Sequence, residues 1–167
     1  MCARCGDITL RNHRFAIVAR PSEQLRGIFW EGTYAQAAAG ALHPLIEAVK
    51  TWQRADADPL ASAITGISWN DRPDGFRFFA GTNAGAIHST IHDGRQVLSL
   101  PAMRLASIWH GPEDGDVVQH YGAMLEWIER SGEKRDTSIL HHREEYPSDI
   151  DLAAPPVLRL MLPLVAT

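Results

Sequence analysis

Glu144 and Tyr146 are the pair in this chain best placed to do chemistry. In an extended segment, side chains two apart share a face. A carboxylate and a phenol there stand side by side, a general acid or base next to a proton donor. Arg77 and Arg159 each fall among apolar neighbours, in Phe76-Arg77-Phe78-Phe79 and Leu158-Arg159-Leu160-Met161. An unpaired charge is costly in such a setting, so each either pairs with Glu144 or Glu145 or meets a ligand. The remaining groups form weaker constellations. Cys2 and Cys5 stand in a C-x-x-C at the extreme end, without the four ligands of a structural zinc or the strand-to-helix context of a redox motif. Two reduced thiols on a loose tail is the plain reading; zinc held between two chains, with His13 as the nearest third ligand, is the sharper one. His88 and His92 are four apart, but 81–94 reads as a loop, and His141 and His142 point opposite ways in a strand. We therefore expect no metal and no cofactor. No G-x-S-x-G, phosphate loop or dinucleotide fingerprint occurs, and no nucleophile has a supported base.

The whole-chain numbers narrow the classes further. At 167 residues with 45% hydrophobic and 22% charged residues, the chain has apolar material for one real core. The net charge of −4 provides no basic field to gather phosphates, which argues against direct nucleic-acid binding. No apolar run approaches the roughly 20 residues of a membrane span, and the first residues lack the apolar centre of a signal peptide. The expectation is a cytoplasmic protein with no membrane partner.

The elements that must position these residues read as one unit present twice. Gly40-Ala41-Leu42-His43-Pro44-Leu45-Ile46-Glu47 matches Gly122-Ala123-Met124-Leu125-Glu126-Trp127-Ile128-Glu129, and Phe76-Arg77-Phe78-Phe79 matches Leu158-Arg159-Leu160-Met161, both 82 residues apart. Arg14-Phe15-Ala16-Ile17-Val18 resembles Arg104-Leu105-Ala106-Ser107-Ile108, the connection 23–32 absorbing a slip. Residues 14–20 and 104–110 read as strands closed by Pro21 and by Gly111-Pro112. A helical stripe runs over 34–52 with a kink expected at Pro44, and a second helix starts at Asp116, capping the Gln119 amide, and stops at Gly132. Strands at 64–70, 75–80, 138–146 and 157–163 complete two β-α-β-β units. The expected class is α+β, with one mainly antiparallel sheet, two helices on one face and a ligand groove on the other. The division is a single domain over 1–167, with repeats at about 8–85 and 95–167 and a loose tail over 1–7.

Strand alternation then assigns the groove. Leu158, Leu160 and Leu162 suit helix packing, as do Phe76 and Phe78, which leaves Arg77, Phe79, Arg159 and Met161 for the opposite side. Ser107 and Trp109 share a side with Leu105, and Glu144 and Tyr146 share one with Leu140 and His142. The expected lining is Trp109, Arg159, Met161, Phe79, Arg77, Trp69, Ser107, Glu144 and Tyr146.

The doubled unit resembles the GyrI-like small-molecule-binding family, the effector-binding domain of AraC-type and MerR-type activators, whose fold is similar to that of SOUL-type proteins. The resemblance is carried by Leu100-Pro101-Ala102-Met103-Arg104-Leu105-Ala106, Gly111-Pro112, Trp127-Ile128-Glu129-Arg130-Ser131-Gly132, Glu144-Glu145-Tyr146 with Asp149, and Leu160-Met161-Leu162-Pro163-Leu164. Ser68-Trp69-Asn70-Asp71 and Phe76-Arg77-Phe78-Phe79-Ala80-Gly81 fit it in the first half. It implies a cleft that takes bulky, planar, often cationic, drug-like compounds. Arg159 stands where members that bind cations commonly carry glutamate, leaving Glu144 to substitute or the ligand to be neutral or anionic. The leading expectation is a stand-alone module for a hydrophobic or aromatic small molecule. A hydrolase of a strained or reactive molecule, with Glu144 and Tyr146 catalytic, is the second. An inhibitor that takes a partner peptide in the groove is the third. A homodimer, or a partner transcription factor, is the protein association left open.

Overall fold

The computed structural model describes residues 14–52, 63–83 and 95–167. Cys2, Cys5, His13, His88 and His92 lie outside the described residues. Eight strands form one sheet: β1 (Ala16–Arg20), β2 (Glu23–Thr33), β3 (Ile64–Arg72), β4 (Gly75–Asn83), β5 (Gln96–Leu100), β6 (Met103–His110), β7 (His142–Tyr146) and β8 (Leu158–Leu164). Helices α1 (Tyr34–Ala38) and α2 (His43–Trp52) follow β2, and α3 (Val117–Arg130) follows β6. The sheet order is β1-β6-β8-β7-β3-β4-β2-β5, and every pairing is antiparallel. The class is α+β, as expected. Each half runs two strands, a helical segment and two strands, the helical segment being α1 and α2 in the first half and α3 in the second.

Two two-residue breaks tie the sheet ends together. Pro21 and Ser22 separate β1 from β2, and Pro101 and Ala102 separate β5 from β6. Arg20 stands opposite Met103 and Glu23 opposite Leu100, so the breaks face each other and the register continues across them. Proline, with no N–H to donate, is tolerated where a ladder is interrupted. Since β2 also pairs with β4 and β6 with β8, the sheet curls back towards itself. The segment 23–32, expected as a connection, is the 11-residue strand β2. Its glycine is what disguises it: a Cβ on Gly27 would lie 2.0 Å from the Ala80 carbonyl oxygen, so only glycine lets the two strands approach there.

The helix expected over 34–52 is two helices. Thr33 and Gln36 cap the first reciprocally, at 3.1 and 2.8 Å. Gly40 at φ 93° ends it, and its carbonyl accepts from the His43 amide at 3.1 Å, because Pro44 has no N–H to offer. Asp116 caps α3 as expected, but through the Val118 amide at 2.6 Å rather than that of Gln119. Gly132 at φ 73° stops the helix. Ile46, Val49 and Trp52 of α2, with Met124 and Ile128 of α3, pack on Phe76, Phe78, Leu158, Leu160 and Leu162. A second cluster, Leu25, Ile67, Phe79, Leu100 and Leu140, lies on the other face of the sheet. Among the described residues, no helix is long and apolar enough to cross a membrane.

Candidate functional site

β7 and β3 are the fourth and fifth of the eight strands, and β7 separates its neighbouring side chains onto opposite faces. Glu144 stands across from Gly66 on β3 and Leu160 on β8, so it shares the helix-bearing face with Leu160. Glu145 stands across from Thr65 and Arg159 and faces the other way. A pocket of about 620 Å³ opens on the helix side. Its walls come from Ala37 and Ala38 of α1, Leu42, Ile46 of α2, and Val117 and Val118 at the start of α3. Ile150, Leu152, Pro156 and Leu158 close it below, Glu144 and Tyr146 supply its polar end, and His43 and Asp151 complete its ionisable lining. Gly66 keeps room beneath: a Cβ there would fall 2.8 Å from the Phe78 ring and 3.4 Å from that of Tyr146.

Two phenols grip the Glu144 carboxylate. The Tyr121 hydroxyl donates to Oε1 at 3.0 Å, and the Tyr146 hydroxyl makes a short contact with Oε2. Burial raises the Glu144 carboxyl above the ordinary carboxylate range, and the two hydroxyl donors pull it partly back. Both phenols are pushed well above their ordinary value, by burial first and by the adjacent carboxylate second. They therefore remain proton donors across the neutral range. His142 packs edge-on to the Tyr121 ring at 4.8 Å, and burial, with the nearby Arg135 charge, lowers it to about 4. A half-buried acid, two fixed donors and apolar walls can bind a large apolar molecule by one charged or donating group, or move a proton on it.

The residues expected to line one groove divide between the two faces. Glu144 and Tyr146 line the pocket on the helix side. Phe79, Ser107, Arg159 and Met161 lie on the opposite face, where they are at most 1% exposed and packed among the described residues. The Arg159 Nε donates to Ser107 Oγ at 2.6 Å, and Trp109, half-buried, stands directly across from Arg159. Phe79 packs in the cluster with Leu25 and Ile67. Arg77 is exposed, paired with Asp71 at 2.7 Å and stacked over Trp69, whose Nε1 donates to the Ile139 carbonyl at 2.8 Å. Parity explains the division: the register sets Glu145, not Glu144, beside Arg159, and Leu140 lies before β7 begins. Beside the apolar cluster, the far face holds a buried ionic network. Arg20 holds both oxygens of Glu145 at 2.9 and 3.0 Å, and Arg143 bonds Glu145 Oε2 at 2.9 and 3.1 Å and also Glu23. The sequence pattern missed Tyr121, which reads as part of the buried stripe of a helix; only its hydroxyl sets it apart.

No family model matches the chain, and no curated protein does. Its fold recurs among solved structures. SAV2435, solved bound to tetraphenylphosphonium, is 14% identical with a TM-score of 0.64, over 91% of this chain and 94% of that one. The EcmrR C-terminal domain is 13% identical with a TM-score of 0.60, over 92% and 98%. A hydrolase from Listeria innocua is 14% identical with a TM-score of 0.57, over 92% and 93%. The likeness at these identities is one of fold.

Proposed function

We propose that this chain is a small-molecule-binding domain of the GyrI-like, effector-binding type, whose ligand occupies the inter-helix pocket with Glu144 at its polar end. The observation that carries this reading is the placement of the half-buried Glu144 carboxylate, clasped by Tyr121 and Tyr146, in a mostly apolar pocket whose lining also includes His43 and Asp151. The ligand class that fits is bulky, mostly aromatic, and cationic or hydrogen-bond-donating at one point. The tetraphenylphosphonium in SAV2435 is a compound of that class. Arg159 faces away from the pocket and does not oppose a cation there. Two strands, a helical segment and two strands in each half, with two helices in the first and one in the second, support reading 8–85 and 95–167 as copies of one unit. The test is calorimetric titration with tetraphenylphosphonium and a panel of other aromatic cations. Binding by wild type that weakens about 10- to 100-fold in Glu144→Gln supports the proposal, given the roughly 1.5–3 kcal/mol of a hydrogen bond to a charged group. Equal affinity in the two proteins, or no binding by any cation of the panel, overturns it.

A hydrolase is the second reading, favoured by the contact between the Tyr146 hydroxyl and Glu144 and by the Listeria innocua structure of the same fold. Glu144 would take the proton of an attacking water while a tyrosine hydroxyl donates to the leaving atom, and the tyrosine would regain its proton from Glu144. Under this reading Glu144→Gln still binds the reactant but loses turnover by at least about 100-fold. An inactive wild type on strained-ring and activated-ester panels sinks it.

A further inference from the structure

Away from the pocket, three metal-ligating side chains converge where β6 ends and α3 begins. His110 closes β6, Asp114 ends the short 3₁₀ turn Pro112–Asp114, and His120 lies in the first turn of α3. One ligand atom from each lies within 4.8 Å of the others. The Nδ1 atoms of the two histidines are 2.8 Å apart, so at least one presents a lone pair to the other. We propose that His110, Asp114 and His120 form a binding site for a divalent transition metal, zinc fitting best. Two imidazoles and a carboxylate match zinc, whereas magnesium and calcium call for oxygen alone.

Geometry supports the assignment. Two nitrogens, each roughly 2.0–2.1 Å from a tetrahedral zinc, stand about 3.3 Å apart. The His110–His120 pair needs to open by only about half an ångström, with the donor ring moving its proton to Nε2. Two of the three ligands are already oriented from outside. The Gly111 amide donates to Asp114 Oδ2 at 2.7 Å, and the His120 ring is held edge-on to Phe15 at 6.1 Å. His110 is fully buried while Asp114 and His120 are half-buried, so the approach is from their side and water completes the coordination. Such a metal would staple the first turn of α3, the helix that delivers Tyr121 to Glu144.

The full-length chain carrying Cys2→Ser and Cys5→Ser, which removes the competing thiols, is stripped with chelator and titrated with zinc and with cobalt. The expected result is one equivalent of metal and a cobalt visible spectrum without a thiolate charge-transfer band. A rise in Tm of about 5–10 °C is expected at a hundredfold excess of zinc over Kd. His120→Ala and, independently, Asp114→Asn should each weaken zinc binding by at least about 100-fold and lose that rise. If the thiol-free chain takes up no zinc, or either variant keeps its affinity, the site does not exist.

Discussion

Two opposing influences meet on the Glu144 carboxyl: burial raises it, and the donors from Tyr146 and Tyr121 lower it by less. A carboxyl raised in the folded state holds its proton after the unfolded chain has released it, so stability falls as pH climbs from the unfolded value through the folded one. Glu144→Gln keeps an acceptor for the tyrosine hydroxyls and removes that penalty. Its Tm relative to wild type should therefore rise as pH climbs from about 4 to 7, the difference between the two being smallest at the acid end. A Tm difference that stays constant between about pH 4 and 7 would contradict the assignment. His142 carries the opposite sign. Held at about 4 in the fold against 6.5 unfolded, it binds its proton first in the unfolded chain. Stability is therefore lost as pH falls from about 6.5 to 4, by an amount on the order of 2–3 kcal/mol. His142→Phe should flatten that acid limb in urea titrations run between pH 4 and 7. At this scale the sequence was informative in part. The spacing of Glu144 and Tyr146 fixes their shared face, because strand parity is local. Tyr121 reaches them from a helix, and the His110–His120 pair forms only because a strand end and a helix start meet, neither of which spacing can disclose.

Between the strands, Glu145 has the most consequential position. It joins Arg20 at the end of β1 to Arg143 on β7, and Arg143 reaches Glu23 at the start of β2. The four charges cancel inside the face opposite the helices and pin the Pro21–Ser22 break to the centre of the sheet. Breaking such a pair strands charge in a dry interior, at a cost of about 3–5 kcal/mol. Glu145→Ala should lose that much in urea denaturation, whereas Arg77→Ala, which removes an exposed pair, should lose less than about 1 kcal/mol. Element types were legible wherever periodicity was clean, in β4, β8 and α3. They were not legible in β2, where Gly27 and Gly32 mimic a connection, although close strand approach demands the first and the Trp30 ring crowds the second. Nor was the separation of α1 from α2 legible, since the apolar stripe runs on past Gly40 and Pro44.

For the molecule as a whole, the two faces of the curled sheet have separate tasks. Among the described residues, one is packed with neutralised charge and aromatic side chains; the other leaves room between its helices over the central strands. Alternation alone could not decide which face was hollow, because both carry aromatics and ionisable groups, and the choice depends on how far α1 and α2 stand from α3. A pair of substitutions separates the faces in function. Ala38, exposed on α1 at the pocket rim, can become tryptophan with a stability change within about 0.5 kcal/mol. Ala38→Trp places a large ring towards the pocket and should weaken binding of tetraphenylphosphonium by at least about 10-fold, about 1.4 kcal/mol. Trp109→Ala, beside Arg159 on the filled face, should lower Tm yet leave that affinity within about 2-fold once the protein is folded. The reverse outcome, affinity lost with Trp109 and kept with Ala38→Trp, would move the ligand to the far side of the sheet, and the role of Glu144 would go with it.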